Sequence, residues 1–295
     1  MSPRHVCARA RAKVNLVLGV GASKPDGYHE VTTVVATLEL SDTVTLEEAG
    51  ALSLVRRPEQ DFPVDEDLTS RAVRLLGDAL GRAPAFAIEL NKRIPVAAGL
   101  GGGSADAAAA LAGACTLWGI ETSAPEVIDV ARSLGADVPF LLVGGCALCT
   151  GRGDMIVRTL PLPAIDVVLV NQGRALATAA VYKAFDAGPC PAPLDPDPMI
   201  DALASGDAAR IAALLRNDLA DASVRVEPSV AVAGAFVGSL PGILGAQVAG
   251  SGATAVGIAR DADSAHAAAA AASSRGWWSL ATRTSPAGPT VTRPL

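Results

Sequence analysis

Segments with strand-like and helix-like spacing of apolar residues alternate along the chain. Runs of apolar and β-branched residues predict strands at 14–20, 31–40, 43–46, 85–90, 155–160, 165–170, 243–248, 254–259 and 277–283. Apolar positions three and four residues apart predict helices at 67–80, 104–119, 125–135, 198–219, 228–240 and 263–274. Residues 138–150 are apolar without a clear period and predict buried structure. The pattern predicts a mixed, α+β protein.

The same pattern suggests a division into two domains. A length of 295 residues allows one large domain or two modest ones. The proline-rich stretch 188–198 predicts a surface loop, and a predicted strand precedes it, so we place the division near 161–163. We therefore expect an N-terminal domain over 1–161, a C-terminal domain over 162–285, and a disordered tail over 286–295.

Two helix starts carry capping signals. Ser104 is the expected N-cap of an alanine-rich helix, with Asp106 in its first turn. Ser123 and Glu126 have the spacing of a capping box, and the helix that they begin is expected to end near Gly135.

Composition and charge narrow the function classes. Half of the residues are hydrophobic, the net charge is −6, and the pI is near 5.1. This balance argues against a broad nucleic-acid-binding surface, although one local basic pocket is compatible with it. Five cysteines, an odd number spread over a long chain, argue against a disulfide framework and favour reduced thiols in the cytoplasm. Cys146 and Cys149 lack a second pair that would complete a zinc site.

Residues 230–259 contain no charged side chain and so could suggest a membrane span. Pro241, seven glycines and Gln247 interrupt the segment. A buried helix, a turn at Pro241 and two short core strands explain the composition better, so we expect no membrane association.

A glycine-rich loop at residues 92–106 is the most informative stretch. Four glycines remove side chains where the backbone has to approach another group closely: Gly99, Gly101, Gly102 and Gly103. They lead into a helix whose first N–H groups have no partner within the helix. Backbone donors and the helix dipole together favour a phosphate chain. The alternative is a flexible linker before an ordinary helix.

Three familiar glycine loops do not fit. A Walker A loop requires Lys directly after its last glycine, but in this chain Ser104 follows Gly103. A dinucleotide fingerprint that starts at Gly99 requires glycine at position 104 and a strand directly before the loop. A nucleophile elbow requires glycine where Asp106 stands.

The remaining pattern, P-x-x-x-G-L-G-G-G-S, resembles the ATP loop of the GHMP kinases, a superfamily that includes galactokinase, homoserine kinase and mevalonate kinase. Four further segments resemble the family in the expected order: AKVNLVL at 12–18, DGYHE at 26–30, GADVPF at 135–140 and GSGAT at 250–254. The resemblance extends from about residue 11 to residue 283. It implies a two-domain α+β fold with an N-terminal β-α-β kinase core, a ferredoxin-like C-terminal domain, and an active site in the cleft between them.

The resemblance also implies that ATP is the co-substrate and that Mg²⁺ accompanies it. The expected ATP-binding residues are Lys92, Pro95, Val96, Ala97, Ala98, Gly99, Leu100, Gly101, Gly102, Gly103, Ser104 and Ala105. Mg²⁺ relies largely on phosphate oxygens and water, so a site with many protein ligands is not required. Ser104 is the candidate for a protein contact to the metal.

Lys13 and Asp137 are the candidate catalytic residues. Phosphoryl transfer needs a group that orients or receives the proton of the attacking hydroxyl. Lys13 is a charge in an apolar segment, and Asp137 follows a predicted helix end in a stretch stiffened by Pro139. From spacing alone, Asp137 could equally cap a turn and Lys13 could extend to solvent. By resemblance to the family, Asp137 is the base and Lys13 its partner.

The element at 26–30 is typical of the GHMP kinases that act on a cytidine-diphosphate-linked methylerythritol. The resemblance implies that the chain's two tyrosines, Tyr28 and Tyr182, stack on cytosine, a contact worth roughly 1–3 kcal/mol per base in nucleic-acid systems. It further implies that His29 reads the edge of the base and that Asn15, Thr178 and Asp137 contact the substrate. Without the resemblance, a lone Tyr or His is more simply a core or surface residue.

The expected reaction is therefore phosphorylation of the 2-hydroxyl of this compound by ATP, in isoprenoid-precursor synthesis. Rival interpretations are a kinase of another small alcohol such as homoserine or mevalonate, a dinucleotide-dependent oxidoreductase, and a non-catalytic nucleotide-binding module. We expect small-molecule partners, no nucleic acid, and a monomer or weak dimer.

Overall fold

The computed structural model describes residues 4–25, 27–59 and 63–293. Its strands are β1 (His5–Ser23), β2 (His29–Glu48), β3 (Ser53–Arg57), β4 (Phe86–Asn91), β5 (Cys146–Thr150), β6 (Met155–Leu160), β7 (Asp166–Asn171), β8 (Arg216–Asn217), β9 (Ile243–Val248), β10 (Ala255–Ala259), β11 (Trp278–Arg283) and β12 (Thr290–Thr292). Its α-helices are α1 (Leu68–Leu80), α2 (Gly102–Trp118), α3 (Pro125–Leu134), α4 (Val138–Val143), α5 (Thr178–Asp186), α6 (Asp197–Ser205), α7 (Ala208–Ala213), α8 (Ala220–Val226), α9 (Ser229–Gly238) and α10 (Ala262–Ser273).

The N-terminal sheet is built on the long antiparallel pair β1 and β2. Strand β4 pairs with one half of β2 and β5 with the other, and β3 and β6 extend the sheet on either side. The β1–β2 register shifts between Arg11 and Lys13. Bulges of this kind re-aim side chains and are common beside active sites. Lys13 and Asn15, two residues apart on β1, therefore face the same side of the sheet.

Helix α2 lies inside this domain rather than on its surface. Its residues from Ala105 to Cys115 are all buried, and most of them are alanine or glycine. Small side chains let the helix approach the sheet closely: a Cβ added to Gly113 would lie 2.7 Å from Leu46 Cδ1. Helices α1, α3 and α4 pack around α2, so the helix is held from several sides.

The C-terminal sheet has the order β11-β7-β10-β9, with every neighbouring pair antiparallel. Numbered along the domain, this is the order 4-1-3-2. Helices α5 to α9 follow the first strand and α10 follows the third. This arrangement confirms the predicted α+β fold with a ferredoxin-like C-terminal domain.

The uncharged segment 230–259 forms most of α9, a turn, β9 and β10, as predicted. Among the described residues, no helix combines the length and the apolar character required to cross a membrane.

The predicted single helix over 198–219 is wrong. Gly206 adopts φ 70° and ends α6, and the Asp207 carboxylate then accepts hydrogen bonds from the N–H groups of Ala209 and Arg210 to begin α7. The segment continues into β8, which pairs in parallel with β1. The apolar spacing persists across this break, so periodicity alone does not detect it.

Both predicted side-chain caps are also wrong. Helix α2 begins at Gly102 with Gly101 as its N-cap, so Ser104 lies within the first turn. Helix α3 has Ala124 as its N-cap and no capping side chain, although it ends at Leu134, next to the predicted Gly135.

The prediction of a disordered tail is wrong for residues 286–293, while 294–295 lie outside the described part of the chain. Strand β12 pairs antiparallel with Cys7, Ala8 and Arg9 of β1, which satisfies backbone groups at that edge. Before it, the Ser285 N–H donates to Thr37 O at 2.8 Å, and the Thr37 hydroxyl donates to Ser285 O at 2.7 Å. The end of the chain thus returns to the N-terminal sheet.

Candidate active site

A cavity of about 1030 Å³ opens between the two domains. It is bordered on one side by the glycine loop and the start of α2, and on the other by residues before and within α5. Of the residues predicted from the sequence to form the site, these line the cavity: Lys13, Asn15, Tyr28, His29, Lys92, Pro95, Val96, Ala97, Ala98, Gly99, Gly101, Gly102, Gly103, Ser104, Asp137, Thr178 and Tyr182. Leu100 and Ala105 do not line it and instead belong to the core.

Backbone contacts from both domains hold the glycine loop. Lys13 N donates to Leu100 O at 2.9 Å, and Leu176 N from the C-terminal domain donates to Ala97 O at 3.0 Å. Gly99 and Gly101 have φ values of 80° and 70°, in the left-handed region that favours glycine. A Cβ on Gly99 would lie only 2.0 Å from a backbone oxygen. The loop is therefore a fixed structure rather than a flexible linker.

Helix α2 points its N-terminus into the cavity, because Gly101, Gly102, Gly103 and Ser104 all line it. The first N–H groups of an α-helix have no partner within the helix, and the helix dipole adds positive potential there. This end of the cavity can accept a polyphosphate.

Beneath the loop, the Lys92 ammonium bridges two buried carboxylates. Its Nζ lies 2.5 Å from Asp42 Oδ2 and 2.6 Å from Asp106 Oδ2. Asp42 also accepts hydrogen bonds from the N–H groups of Arg93 and Ile94, which fixes the beginning of the loop. Burial acts to lower the pKa of Lys92, but Asp106 and Asp42 together raise it above its ordinary value. Burial raises the pKa of Asp106 well above its ordinary range, although Lys92 opposes this.

Sequence reasoning missed Asp42. It is one of two carboxylates within the apolar and β-branched run of β2, and unlike the exposed Glu39 it is fully buried. A charge at a position that the strand pattern assigns to the core is the signal that could have identified it.

Lys13 and Asp137 come together at the middle of the cavity. Lys13 Nζ lies 3.3 Å from Asp137 Oδ2 and donates to Asn15 Oδ1 at 2.9 Å. Asn15 in turn donates to the Thr33 hydroxyl at 2.9 Å, which donates to a backbone oxygen. The chain of hydrogen bonds fixes the position of the ammonium. Gly101 lies directly beside it: a Cβ there would be 2.8 Å from Lys13 Cγ and 3.6 Å from Asp137 Oδ2.

The alternatives left open for these two residues do not fit their geometry. Asp137 is the N-cap residue of α4, but its side chain makes no capping hydrogen bond. The Lys13 side chain is 7% exposed and so does not extend to solvent, whereas Asp137 is 35% exposed and faces the cavity. The carboxylate is accessible to a bound molecule, and the ammonium supports it from behind.

Aromatic residues from both domains line the end of the cavity away from α2. The rings of His29 and Tyr182 have centroids 4.9 Å apart. Tyr28 is 52% exposed, and the Arg152 guanidinium carbon lies 4.9 Å from its ring centroid. Burial, together with the nearby Asp137, raises the pKa of Tyr182 to about 12. Thr178 lies with its hydroxyl 3.0 Å from that of Ser251. Asp26, the first residue of the predicted element at 26–30, lies outside the described residues.

Two further residues here were missed from the sequence. Arg152 stands in a G-R-G-D turn between β5 and β6, a short glycine-flanked basic element that could have signalled it. Asp186, the last residue of α5, lies with its Oδ1 2.7 Å from His29 Nε2. Nothing in the local sequence indicates that contact, because the two residues are 157 positions apart.

Comparison with known proteins places this geometry in a family. Residues 67–145 match the GHMP kinases N terminal domain, and residues 199–276 match the GHMP kinases C terminal domain. A 4-diphosphocytidyl-2-C-methyl-D-erythritol kinase from Pelotomaculum thermopropionicum is 44% identical over 267 residues, covering 90% of this chain and 93% of its own. The chain belongs to the 4-diphosphocytidyl-2-C-methyl-D-erythritol kinase family of GHMP kinases. The family resemblance inferred from the motifs is thereby confirmed.

Other members of this kinase family agree. The protein of the same name from Nocardia farcinica is 42% identical over 278 residues, covering 91% of this chain and 89% of its own. A crystal structure of a 4-(cytidine 5'-diphospho)-2C-methyl-D-erythritol kinase superposes with a TM-score of 0.79 at 33% identity. That match covers 94% of this chain and 98% of the other, so both domains share the kinase fold.

Proposed function

We propose that this chain transfers the γ-phosphate of ATP to the 2-hydroxyl of 4-diphosphocytidyl-2-C-methyl-D-erythritol, giving the 2-phosphate and ADP in the non-mevalonate route to isoprenoid precursors. One observation carries the chemistry: the paired Lys13 and Asp137 share the cavity with the N-terminus of α2. Family membership supports the identity of the substrate. A volume of about 1030 Å³ is large for a single ligand pocket and suits two nucleotide-containing molecules.

ATP would bind with its phosphates at the start of α2. Gly101, Gly102 and Gly103 line the cavity and carry no side chains, so they leave the backbone N–H groups open to it. Holding the reacting groups in position before the reaction is a main contribution of a protein to phosphoryl transfer. Lys92 would act from below, by holding the loop through Asp42.

The acceptor hydroxyl would lie against Asp137. In the transfer, the alcohol oxygen bonds to the γ-phosphorus while the bond from that phosphorus to the ADP oxygen breaks, and the hydroxyl proton passes to the Asp137 carboxylate. Lys13, 3.3 Å from the carboxylate, would stabilise the negative charge that develops on the alcohol oxygen.

The cavity residues fit a magnesium ion that is held mostly by ATP. No cluster of three His, Cys, Asp or Glu side chains suited to a metal occurs among the described residues. Mg²⁺ typically uses one or two carboxylates together with phosphates and water. Asp106 Oδ1 is buried without a hydrogen-bond partner and Ser104 carries a hydroxyl, and both residues line the cavity. Ser104 would hold the ion together with the phosphates, and the bound ion would neutralise charge on the triphosphate.

The cytosine would lie at the aromatic end of the cavity. Tyr28 and Tyr182, one from each domain, would stack on its faces, and His29 would meet its edge. Asn15 and Thr178 would contact the rest of the substrate between this end and Asp137. Homoserine and mevalonate carry no base that these three rings could contact, so the rings favour the cytidyl substrate.

The cytoplasmic location and the monomeric or weakly dimeric state stay predictions from composition. An acidic pI of 5.1 supports the expectation that nucleic acid is not a partner.

The test is turnover with defined substrates. The purified chain is incubated with ATP, Mg²⁺ and 4-diphosphocytidyl-2-C-methyl-D-erythritol, with homoserine and mevalonate as controls. We expect ADP release with the cytidyl compound alone, and a new phosphate monoester at the 2-position by ³¹P NMR. ADP release with a control alcohol in its place would contradict the proposed substrate, and no release with any alcohol would favour a non-catalytic nucleotide-binding module.

A further inference from the structure

The side chain of His29 contacts three residues of one helix of the other domain, α5. Its ring centroid is 4.9 Å from that of Tyr182 and 5.8 Å from that of Phe185, which it meets edge-on. Its Nε2 lies 2.7 Å from Asp186 Oδ1. These three partners are at positions i, i+3 and i+4 of α5 and therefore lie on one helix face. The ring is fixed in orientation by packing and by one hydrogen bond.

That hydrogen bond decides which ring nitrogen carries the proton. An ionised carboxylate can only accept, so Nε2 has to donate to Asp186. In a neutral imidazole the other nitrogen then presents a lone pair. Among the described residues, Nδ1 of His29 makes no hydrogen bond, and the residue lines the cavity.

We propose that Asp186 is a positioning residue that holds His29 in the Nε2–H tautomer, so that Nδ1 accepts from the 4-amino group of cytosine and disfavours uracil. The inference rests on the proposed function, because it takes the cytidyl compound as the substrate. Asp186 would thus influence which pyrimidine binds although its carboxylate touches neither the base nor the reacting atoms.

The chemistry of the two bases supports this assignment. The 4-amino group is the hydrogen-bond donor on the edge of cytosine, and uracil carries an acceptor oxygen at the same position. Opposite a fixed acceptor, cytosine gains a hydrogen bond and uracil places two acceptors in contact. Uracil offers a donor only at N3, so it would have to shift along its edge to reach the same nitrogen. Stacking between Tyr28 and Tyr182 would oppose such a shift.

The first test compares two substrates in three proteins. The values of kcat/KM are measured for the cytidyl compound and for its uridine counterpart with wild type, Asp186→Ala and the matched control Asp201→Ala, an exposed carboxylate on α6. We expect Asp186→Ala to lower the cytidine-to-uridine ratio about tenfold, mainly through KM. Asp201→Ala is expected to keep the wild-type ratio. A purely structural defect would lower both values alike and leave the ratio unchanged, and that result would overturn the proposal.

The second test reads the tautomer directly, needs no substrate, and has its deciding outcome measured with Asp186 in place. The chain has three histidines, so ¹⁵N-histidine NMR spectra are simple, and His5→Gln and His266→Gln identify the His29 signals. We expect the nitrogen pattern of the Nε2–H tautomer in wild type at mildly alkaline pH, and a mixture in Asp186→Ala. An Nδ1–H tautomer in wild type would overturn the proposal.

The proposed function and the role of Asp186 are tested separately by these measurements. Absence of wild-type turnover with the cytidyl compound would remove the proposed function and this inference with it. Wild-type turnover together with an unchanged ratio in Asp186→Ala would remove the inference alone.

Discussion

Lys92 Nζ lies 2.6 Å from Asp106 Oδ2, directly beneath the helix end that faces the cavity. A Cβ on Gly102 would be 3.3 Å from the same ammonium, so the pair supports the loop from below. Asp42 supplies a second carboxylate, and with both carboxylates ionised the group carries one excess negative charge in a buried place. A buried charge of this kind makes the protein sensitive to the protonation of Asp106.

Asp106→Asn is expected to change how stability depends on pH. Burial raises the pKa of Asp106 in the folded protein above its ordinary value, so the folded state binds this proton more tightly than the unfolded chain does. The stabilisation from that proton is fully present below the ordinary pKa and is lost as pH rises to the raised one. We expect the free energy of unfolding of Asp106→Asn, relative to wild type, to increase as pH rises above about 4, the ordinary pKa of an aspartate.

Urea unfolding at several pH values measures this difference. Asp78→Asn, an exposed carboxylate on α1, is the matched control and should parallel wild type. Parallel curves for Asp106→Asn and wild type would contradict the prediction.

Asp137→Asn is expected to abolish most turnover without loss of ATP binding. An amide cannot receive the hydroxyl proton, and removal of general base catalysis typically costs about 10²–10⁴-fold in rate. The values of kcat are measured by ADP release, and ATP affinity by calorimetry. The matched control is Asp129→Asn, which removes the same negative charge from a side chain on α3 that is 77% exposed and does not line the cavity. It should behave as wild type. Undiminished kcat in Asp137→Asn would exclude Asp137 as the base.

Gly101→Ala and Gly119→Ala form a matched pair at the two ends of α2. Their φ values are 70° and 69°, so each substitution introduces the same left-handed strain, about 1–2 kcal/mol. At Gly119 nothing lies within 4 Å of the added Cβ, whereas at Gly101 it would lie 2.8 Å from Lys13 Cγ. We expect similar losses of thermal stability from the strain, and a loss of kcat from Gly101→Ala alone. Equal activity in the two variants would show that the Lys13 contact is unimportant.

Gly288→Ala is expected to destabilise the fold through the returning end of the chain. A Cβ there would lie 2.6 Å from Val143 O, the last residue of the helix that Asp137 begins. Backbone atoms cannot move away as a flexible side chain could, so we expect a loss of about 1–3 kcal/mol. Gly50→Ala, where nothing lies within 4 Å, is the control. Urea unfolding checks both, and a Gly288→Ala midpoint equal to wild type would contradict the contact.

The sequence was sufficient for features that depend on local pattern. The four strands of the C-terminal sheet and β1, β2, β4 and β6 of the N-terminal sheet follow from spacing and residue type, as do the glycine loop and the order of the family segments. The other strands of the N-terminal sheet, β3, β5, β8 and β12, were not predicted. Lys13 and Asp137 were predicted as a pair because a motif carried each one, and the structure brings them 3.3 Å apart. Their catalytic roles stay predictions until the variants are measured.

The missed features depend on contacts between distant segments. Asp42 and Asp186 acquire partners 50 and 157 residues away, and no local pattern encodes such pairings. The predicted cap of α2 is wrong because Gly101, in a left-handed conformation, occupies the N-cap position and provides no side-chain oxygen, which a typical N-cap supplies. The tail was misjudged because its order comes from the edge of β1, which lies at the opposite end of the sequence.

The path of the chain also limits how the cavity can close. The backbone crosses from the N-terminal to the C-terminal domain before β7 and returns after β11, where Thr284 bridges to Leu38 of β2. A body joined at one point can swing in any direction, but one joined at two points rotates only about the line between them. Any closure over bound nucleotides is therefore expected to be a small rotation about this line, limited further by the β1–β8 pairing and by the existing contact of Tyr182 with His29.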